Sequence, residues 1–363
     1  MAQDLSKLIS SIQKDLGGAA LVSKLSDVEA PFETRIPTGI MSLDLALKGG
    51  FPAGSMHQIF GPDGSGKDYL TNLMIAQVQK EYGDDANIAW MSFGYRPDKP
   101  FMKMAGIDIN LGNLLYIDIG EKIALEHPAE SLLSAMLQII RSNQFQLVII
   151  NELGSGETKY NVVKNLHEDA KIATWASLMS SFCQKFYSAM RMPDEDGNAN
   201  KTCCVMINPV RANLNAHSAK FNPYTQGGGF ALKHAKAVDL HIRPGATIKK
   251  GSSKIGKEIK WKISKGKHGI SEGQEGQYNF VFNEGVDLVS DLVNTAKITG
   301  AIRNKGRYFY ILNYEDRIEG GLPGVLDIVR QSPTIERELR ESVLQEITGG
   351  EDIDHSGDEE EGG

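Results

Sequence analysis

The chain has 363 residues, 41% hydrophobic and 23% charged, the composition of a soluble globular protein with room for one large domain and a smaller one. No apolar run approaches the length of a membrane-crossing helix, and the N-terminus lacks the apolar core of a secretion signal, so a cytoplasmic protein is expected. The formal net charge is −7, and residues 351–363 alone hold Glu351, Asp352, Asp354, Asp358, Glu359, Glu360 and Glu361 with no Lys or Arg, which leaves the rest of the chain neutral.

Leu5, Leu8, Ile9, Ile12 and Leu16 recur at helical spacing and stop at Gly17-Gly18. A helix this short rarely stands alone, so its apolar face needs a surface to cover. After a linker at 26–34, strands and helices alternate. Met56–Phe60 reads as a strand, Tyr69–Tyr82 as a helix, and Asn87–Phe93, Leu114–Ile119, Gln146–Asn151, Thr202–Asn208 and Ala237–Ile242 as strands. Helices are expected over Pro128–Ser142 and Ala173–Met190. This alternation implies a mostly parallel sheet covered on both faces. The glycine and lysines around Gly251 break the pattern, and Lys260–Ser264 and Gln277–Asn283 read as a late antiparallel pair. A small helical region follows from about Val286, with a strand at Arg307–Leu312 and a last helix at Ile335–Ile347. Cys183, Cys203 and Cys204 lack metal-ligand spacing and read as buried thiols. Residues 243–267 carry Arg243, Lys249, Lys250, Lys254, Lys257, Lys260, Lys262, Lys265 and Lys267 against Glu258, which suits either a polyanion partner or a solvated loop.

Between the Met56–Phe60 strand and the Tyr69–Tyr82 helix lies Gly61-Pro62-Asp63-Gly64-Ser65-Gly66-Lys67-Asp68. Strand, Gly-rich loop and helix form a phosphate cradle, because free backbone N–H groups and the helix dipole favour an anion and a lysine at the seventh position reaches the outer phosphates. The eighth position normally carries the hydroxyl that ligates Mg²⁺. Here it is Asp68, which is also a residue type favoured at helix N-caps.

The order of these pieces resembles the RecA family of DNA recombinases over residues 5 to 345. The resemblance rests on Thr38-Gly39 through Ser42-Leu43-Asp44-Leu45-Ala46-Leu47, on Phe60-Gly61-Pro62 with its loop, and on Asn283-Glu284-Gly285-Val286 followed by Leu292-Val293. It rests most specifically on Asn222-Pro223 through Gly227-Gly228-Gly229, Ala231-Leu232-Lys233, Val238 and Leu240. It implies an α/β fold: a RecA-like phosphate-loop core at 34–285, an N-terminal oligomerisation helix and linker at 1–33, a small C-terminal α+β domain at 286–349 and an acidic tail at 350–363. It also implies ATP and Mg²⁺ held between subunits of a helical filament, with Asp98 and Phe101 at the adenine and Lys265 and Lys267 reaching a neighbour's phosphates. Without the resemblance, Asp98 is a loop acid and Phe101 a core aromatic. Single-stranded DNA would be bound by a loop near 162–174 and by a second at 211–227, through Arg211, Asn213, Leu214, Lys220, Phe221, Asn222, Thr225, Gln226 and Gly227 to Gly229. Such a filament pairs its strand with a homologous duplex.

The sequence departs from that pattern at four positions. Besides Asp68, Gly94 stands where the family has its water-orienting glutamate, Asn151 where it has the aspartate supporting the metal, and Pro209 where it has an amide sensing the γ-phosphate. These losses imply impaired hydrolysis. Two alternatives stay open. Asp68 could itself ligate Mg²⁺ with Glu152 supplying a second carboxylate, or the chain could be a silent structural or regulatory subunit working with an active paralogue.

Overall fold

The computed structural model describes residues 5–15, 30–94, 96–118, 128–162, 172–194, 197–212 and 224–349. Helix α1 spans Leu5–Asp15, and β1 (Arg35–Ile36) pairs with β2 (Phe51–Pro52) around α2 (Met41–Ala46). The core then runs β3 (Met56–Gly61), α3 (Lys67–Tyr82), β4 (Asn87–Ser92), α4 (Lys99–Met104), β5 (Asn113–Ile117), α5 (Pro128–Arg141), β6 (Leu147–Asn151), α6 (Lys159–Val162), α7 (Ile172–Met190) and β7 (Cys203–Ala212). It continues through β8 (Tyr224–Gln226), α8 (Gly229–Ala235), β9 (Val238–Lys250), β10 (Ser253–Lys265), β11 (Glu275–Val281) and β12 (Gly285–Val286). Last come α9 (Leu288–Ile298), β13 (Ile302–Lys305), β14 (Tyr308–Ile311), α10 (Gly321–Gln331) and α11 (Pro333–Gly349).

One ten-stranded sheet, in the order β12-β11-β10-β9-β3-β7-β6-β4-β5 with β8 beside β7, organises the core. From β9 to β5 the strands on this path are parallel; β9, β10, β11 and β12 pair antiparallel. Side chains alternate between the faces, as a two-residue period requires. Ile88, Trp90, Leu147, Ile149 and Val205 join α3 in one apolar cluster. Ala89, Met91, Val148, Ile150 and Met206 join α5 and α7 in the other. Coverage on both faces explains why β6 reads as an unbroken apolar run.

The antiparallel pair expected at 260–264 and 277–283 is present, but the lysine-rich segment before it is no loop. It is the outer half of a long β9–β10 hairpin in which Lys249 opposes Lys254, and Arg243, Lys249, Lys250, Lys254 and Lys262 are exposed along it. No residue of β9 beyond Ile242 is buried, so this part of the strand carries no apolar alternation and looks like a loop in sequence. In the C-terminal region the expected single strand is one arm of the β13–β14 hairpin. A third apolar cluster there is built by α9, α10 and α11, joined by Met41 from α2. The three cysteines are buried and unbridged, and burial pushes the Cys183 thiol up to about 11. Among the described residues no helix is long and apolar enough to cross a membrane.

Candidate nucleotide and DNA site

The phosphate loop leaves β3 between its two parallel neighbours, β7 and β9. Ligands gather at the carboxyl ends of such strands. Gly61 is fixed by packing, since a Cβ there would lie 1.9 Å from the Ile242 carbonyl oxygen. Gly66 caps α3 in the left-handed region (φ 93°) without a side-chain hydrogen bond, which leaves the first N–H groups of the helix to a ligand. Lys67 is buried, and its Nζ donates to the carbonyl oxygens of Gly61 (3.1 Å) and Pro62 (2.9 Å). Burial pulls its pKa down, against the opposing pull of Asp68, Glu152 and Asp63. These features fit a phosphate chain.

The four positions singled out in the sequence, Asp68, Gly94, Asn151 and Pro209, lie around this loop. Asp68 is not the N-cap of α3 but its second residue, and its Oδ1 accepts from Asn151 Nδ2 at 2.8 Å. Burial raises the Asp68 pKa, partly offset by Lys67 and by this hydrogen bond. Asn151 ends β6, and its Oδ1 is buried with no hydrogen-bond partner among the described residues. Gly94 follows β4, and a Cβ there would stand 3.9 Å from Glu152 Oε2, so the Glu152 carboxylate faces the space that a side chain at 94 would enter. Ser155 Oγ donates to that same Oε2 at 2.9 Å. Pro209 lies on β7 opposite Gly61. No cluster of three or more His, Cys, Asp or Glu suited to a metal occurs among the described residues. The Asp68 carboxylate and the Asn151 Oδ1 are oxygens of the type a hard cation accepts, although one Asp68 oxygen is already bonded to Asn151.

The remaining expected nucleotide residues divide. Phe101 packs edge-on against Tyr69 at 5.1 Å and lines the loop's cavity with Phe280. Asp98 caps α4, accepting from the Phe101 N–H at 3.1 Å, so its sequence neighbours already use one of its oxygens. Lys265 Nζ donates to the last carbonyls of α8, at Lys233 (2.8 Å) and His234 (3.1 Å), while Lys267 is exposed.

For DNA, β7 runs past the phosphate loop and pairs with β8 in a ribbon, Arg211 opposite Thr225 and Val210 opposite Gln226. Asn213, Leu214, Lys220, Phe221 and Asn222 lie outside the described residues, as do positions 163–171 of the first loop. Gly228 (φ 103°) and Gly229 (φ 73°) turn the chain from the ribbon into α8, a conformation that disfavours side chains.

A buried polar network missed in the sequence joins the two halves. Asn208 Nδ2 donates to Gln58 Oε1 (3.1 Å) and to the Gly227 carbonyl (2.9 Å). Gln58 Nε2 donates to Gln226 Oε1 (2.8 Å) and Asp239 Oδ1 (3.0 Å). Lys236 Nζ donates to Gln226 Oε1 (2.8 Å) and pairs with Asp239 at 2.6 Å. Gln226, expected on DNA, remains exposed but has its amide bonded to protein partners. The available signal was a set of polar residues in otherwise apolar strands, each needing a partner once buried.

The profile of the RecA N-terminal domain matches residues 3–287. The chain belongs to the RecA family. It is 28% identical to Protein RecA of Nostoc sp. (strain PCC 7120 / SAG 25.82 / UTEX 2576) over 349 residues, covering 95% of this chain and 90% of the relative. It is likewise 28% identical to Protein RecA of Arthrospira platensis over 348 residues, covering 95% and 88%. Against Protein RecA of Synechococcus sp. (strain CC9605) it is 27% identical over 350 residues, covering 96% and 86%. The RecA match spans the phosphate loop, the β7–β8 ribbon and the glycine turn together.

Proposed function

We propose that this chain is a recombination and repair protein that binds single-stranded DNA as a nucleotide-responsive helical filament and pairs it with a homologous duplex. The supporting observation is the path from nucleotide to DNA. The strand beside the phosphate loop continues into the ribbon at the base of the second loop, and Asn208 bonds both Gln58 on β3 and Gly227 at the loop's exit. Asn208 would act in place of the sensing amide that Pro209 lacks. Residues 1–33 would pack on the next subunit, 34–285 bind nucleotide and DNA, 286–349 form the small domain, and 350–363 act as an acidic tail. Leu8 and Ile12 of α1 are exposed at 45% and 37%, which suits burial against another copy. Lys265 and Lys267 would reach that copy's phosphates.

ATP and Mg²⁺ serve in this reading as ligands of the assembled state, with slow hydrolysis. Water positioning loses its residue at Gly94, and Asp68 is tied to Asn151. That tie also favours a second reading, a silent subunit that caps or modulates an active paralogue. The deciding experiment measures single-stranded DNA binding and filament formation with and without ATP, alongside phosphate release. ATP-dependent filaments with little phosphate release are expected. Strong DNA-stimulated release would refute slow hydrolysis, loss of both filaments and DNA binding would refute the recombination reading, and assembly only with a partner would favour the second.

A further inference from the structure

Lys257 lies on β10, almost two hundred residues from the phosphate loop, yet its Nζ donates to the carbonyl oxygen of Gly64 at the loop's tip. Gly64 has φ +64° and nothing within 4 Å of where a Cβ would stand, so the tip is open. The register of β10 against β9 shifts between Lys254 and Gly256 and again between Lys257 and Ile259. Such irregularities re-aim side chains and gather beside binding sites. Here they bracket Lys257, and its side chain lines the same cavity as Asp63 to Tyr69, Phe101 and Phe280.

Charge gives this placement a purpose. The loop presents Asp63 and Asp68 against Lys67, and the Lys67 ammonium is held by the Gly61 and Pro62 carbonyls. An entering polyphosphate meets two carboxylates and one engaged lysine, a repulsive arrangement unless another cation joins it. Lys257 is bonded to a neutral carbonyl, and a phosphate oxygen is the stronger acceptor for an ammonium. We propose that Lys257 is a nucleotide-binding residue in cis, which moves from the Gly64 carbonyl onto the phosphate chain of a nucleoside di- or triphosphate and supplies the positive charge that Asp68 offsets. The inference rests on the phosphate-loop reading of Gly61–Asp68 and adds to it a residue from a different part of the sheet.

The test is equilibrium binding of a fluorescent ATP analogue to the full chain, with ADP and adenosine as competitors, in Mg²⁺ and in EDTA. The proteins are wild type, Lys257→Ala, Lys257→Gln, Lys257→Arg and a Lys67→Ala control. Loss of one charge-assisted hydrogen bond predicts that the Ala and Gln variants bind ATP and ADP about tenfold more weakly. Adenosine affinity should stay unchanged and Lys257→Arg should recover most of the loss, with the larger effect in EDTA. Unchanged ATP binding in Lys257→Ala would overturn the proposal. So would an equal loss for ATP and adenosine with a lowered melting temperature, which would make Lys257 a strut for the loop. If wild type binds no nucleotide and Lys67→Ala is no different, the phosphate-loop reading fails and takes this inference with it. If Lys67→Ala alone loses binding, only the role of Lys257 falls.

Discussion

Replacing Lys236 by Met tests the network that ties the phosphate-loop strand to the DNA ribbon. The Lys236 and Asp239 side chains are 2% and 9% exposed, and their charged atoms stand 2.6 Å apart. Burial lowers the Lys236 pKa, with Asp239 working in the opposite direction. Methionine nearly matches the volume of lysine but leaves the Asp239 carboxylate with only amide donors, Gln58 Nε2 at 3.0 Å and Gln226 Nε2 at 3.5 Å. Removing one partner of a buried pair costs about 3–5 kcal/mol, because the other charge stays buried. For a unit the size of this core, each kcal/mol shifts the melting temperature by about 2–4 °C, so a fall of roughly 6–20 °C is expected by calorimetry. The double variant Lys236→Met/Asp239→Leu should recover to about wild type or above, since an apolar pair of similar volume replaces a buried ion pair without penalty. Gln226 loses one donor in both variants, so the ATP dependence of DNA binding should weaken in both. A single variant melting within about 2 °C of wild type would refute the cost assigned to the stranded charge. A double variant as unstable as the single would shift the cause to the amide bonds.

The set Asp68→Thr, Gly94→Glu and Asn151→Asp should raise phosphate release by about a hundredfold or more, as restored positioning groups typically do; a combined variant that stays inert would show that these positions do not limit hydrolysis. Burial raises Asp44 to about 7, against hydrogen bonds from Thr38 and Gly39. Its folded pKa lies above its unfolded value, so between about pH 4 and 7 the unfolded chain releases this proton while the folded chain keeps it, and stability falls as pH rises. Asp68 and Asp291, raised by burial in the same direction, add to that slope. Denaturation midpoints at pH 4.5 and 7.5 should differ by less in Asp44→Asn than in wild type; an identical difference would remove Asp44 from the account. Leu8→Asp with Ile12→Asp should abolish filaments seen by electron microscopy and leave the melting temperature of the unassembled chain within about 2 °C, because both side chains are exposed in the single subunit. Filaments of normal length would refute the role of α1.

The core strands were legible because each is an apolar run bounded by turn residues, and α3, α5 and α7 because their apolar residues recur at helical spacing. Strand β9 was read only as far as Ile242, though it runs to Lys250, since beyond that point it is a solvent-facing ribbon with no apolar pattern to mark it. The phosphate loop was legible because its glycines and lysine are local in sequence. The same holds for Asp68, whose residue type alone raised the question of hydrolysis. The sequence by itself determined the family and the parallel core, because those properties depend on residue type and short-range order. Tertiary structure alone decided that Asp68 bonds Asn151, that Asn208 links Gln58 to Gly227, and that Lys257 reaches Gly64. Each of these contacts spans distant segments, and its geometry is set by strand order and register, which no local pattern encodes.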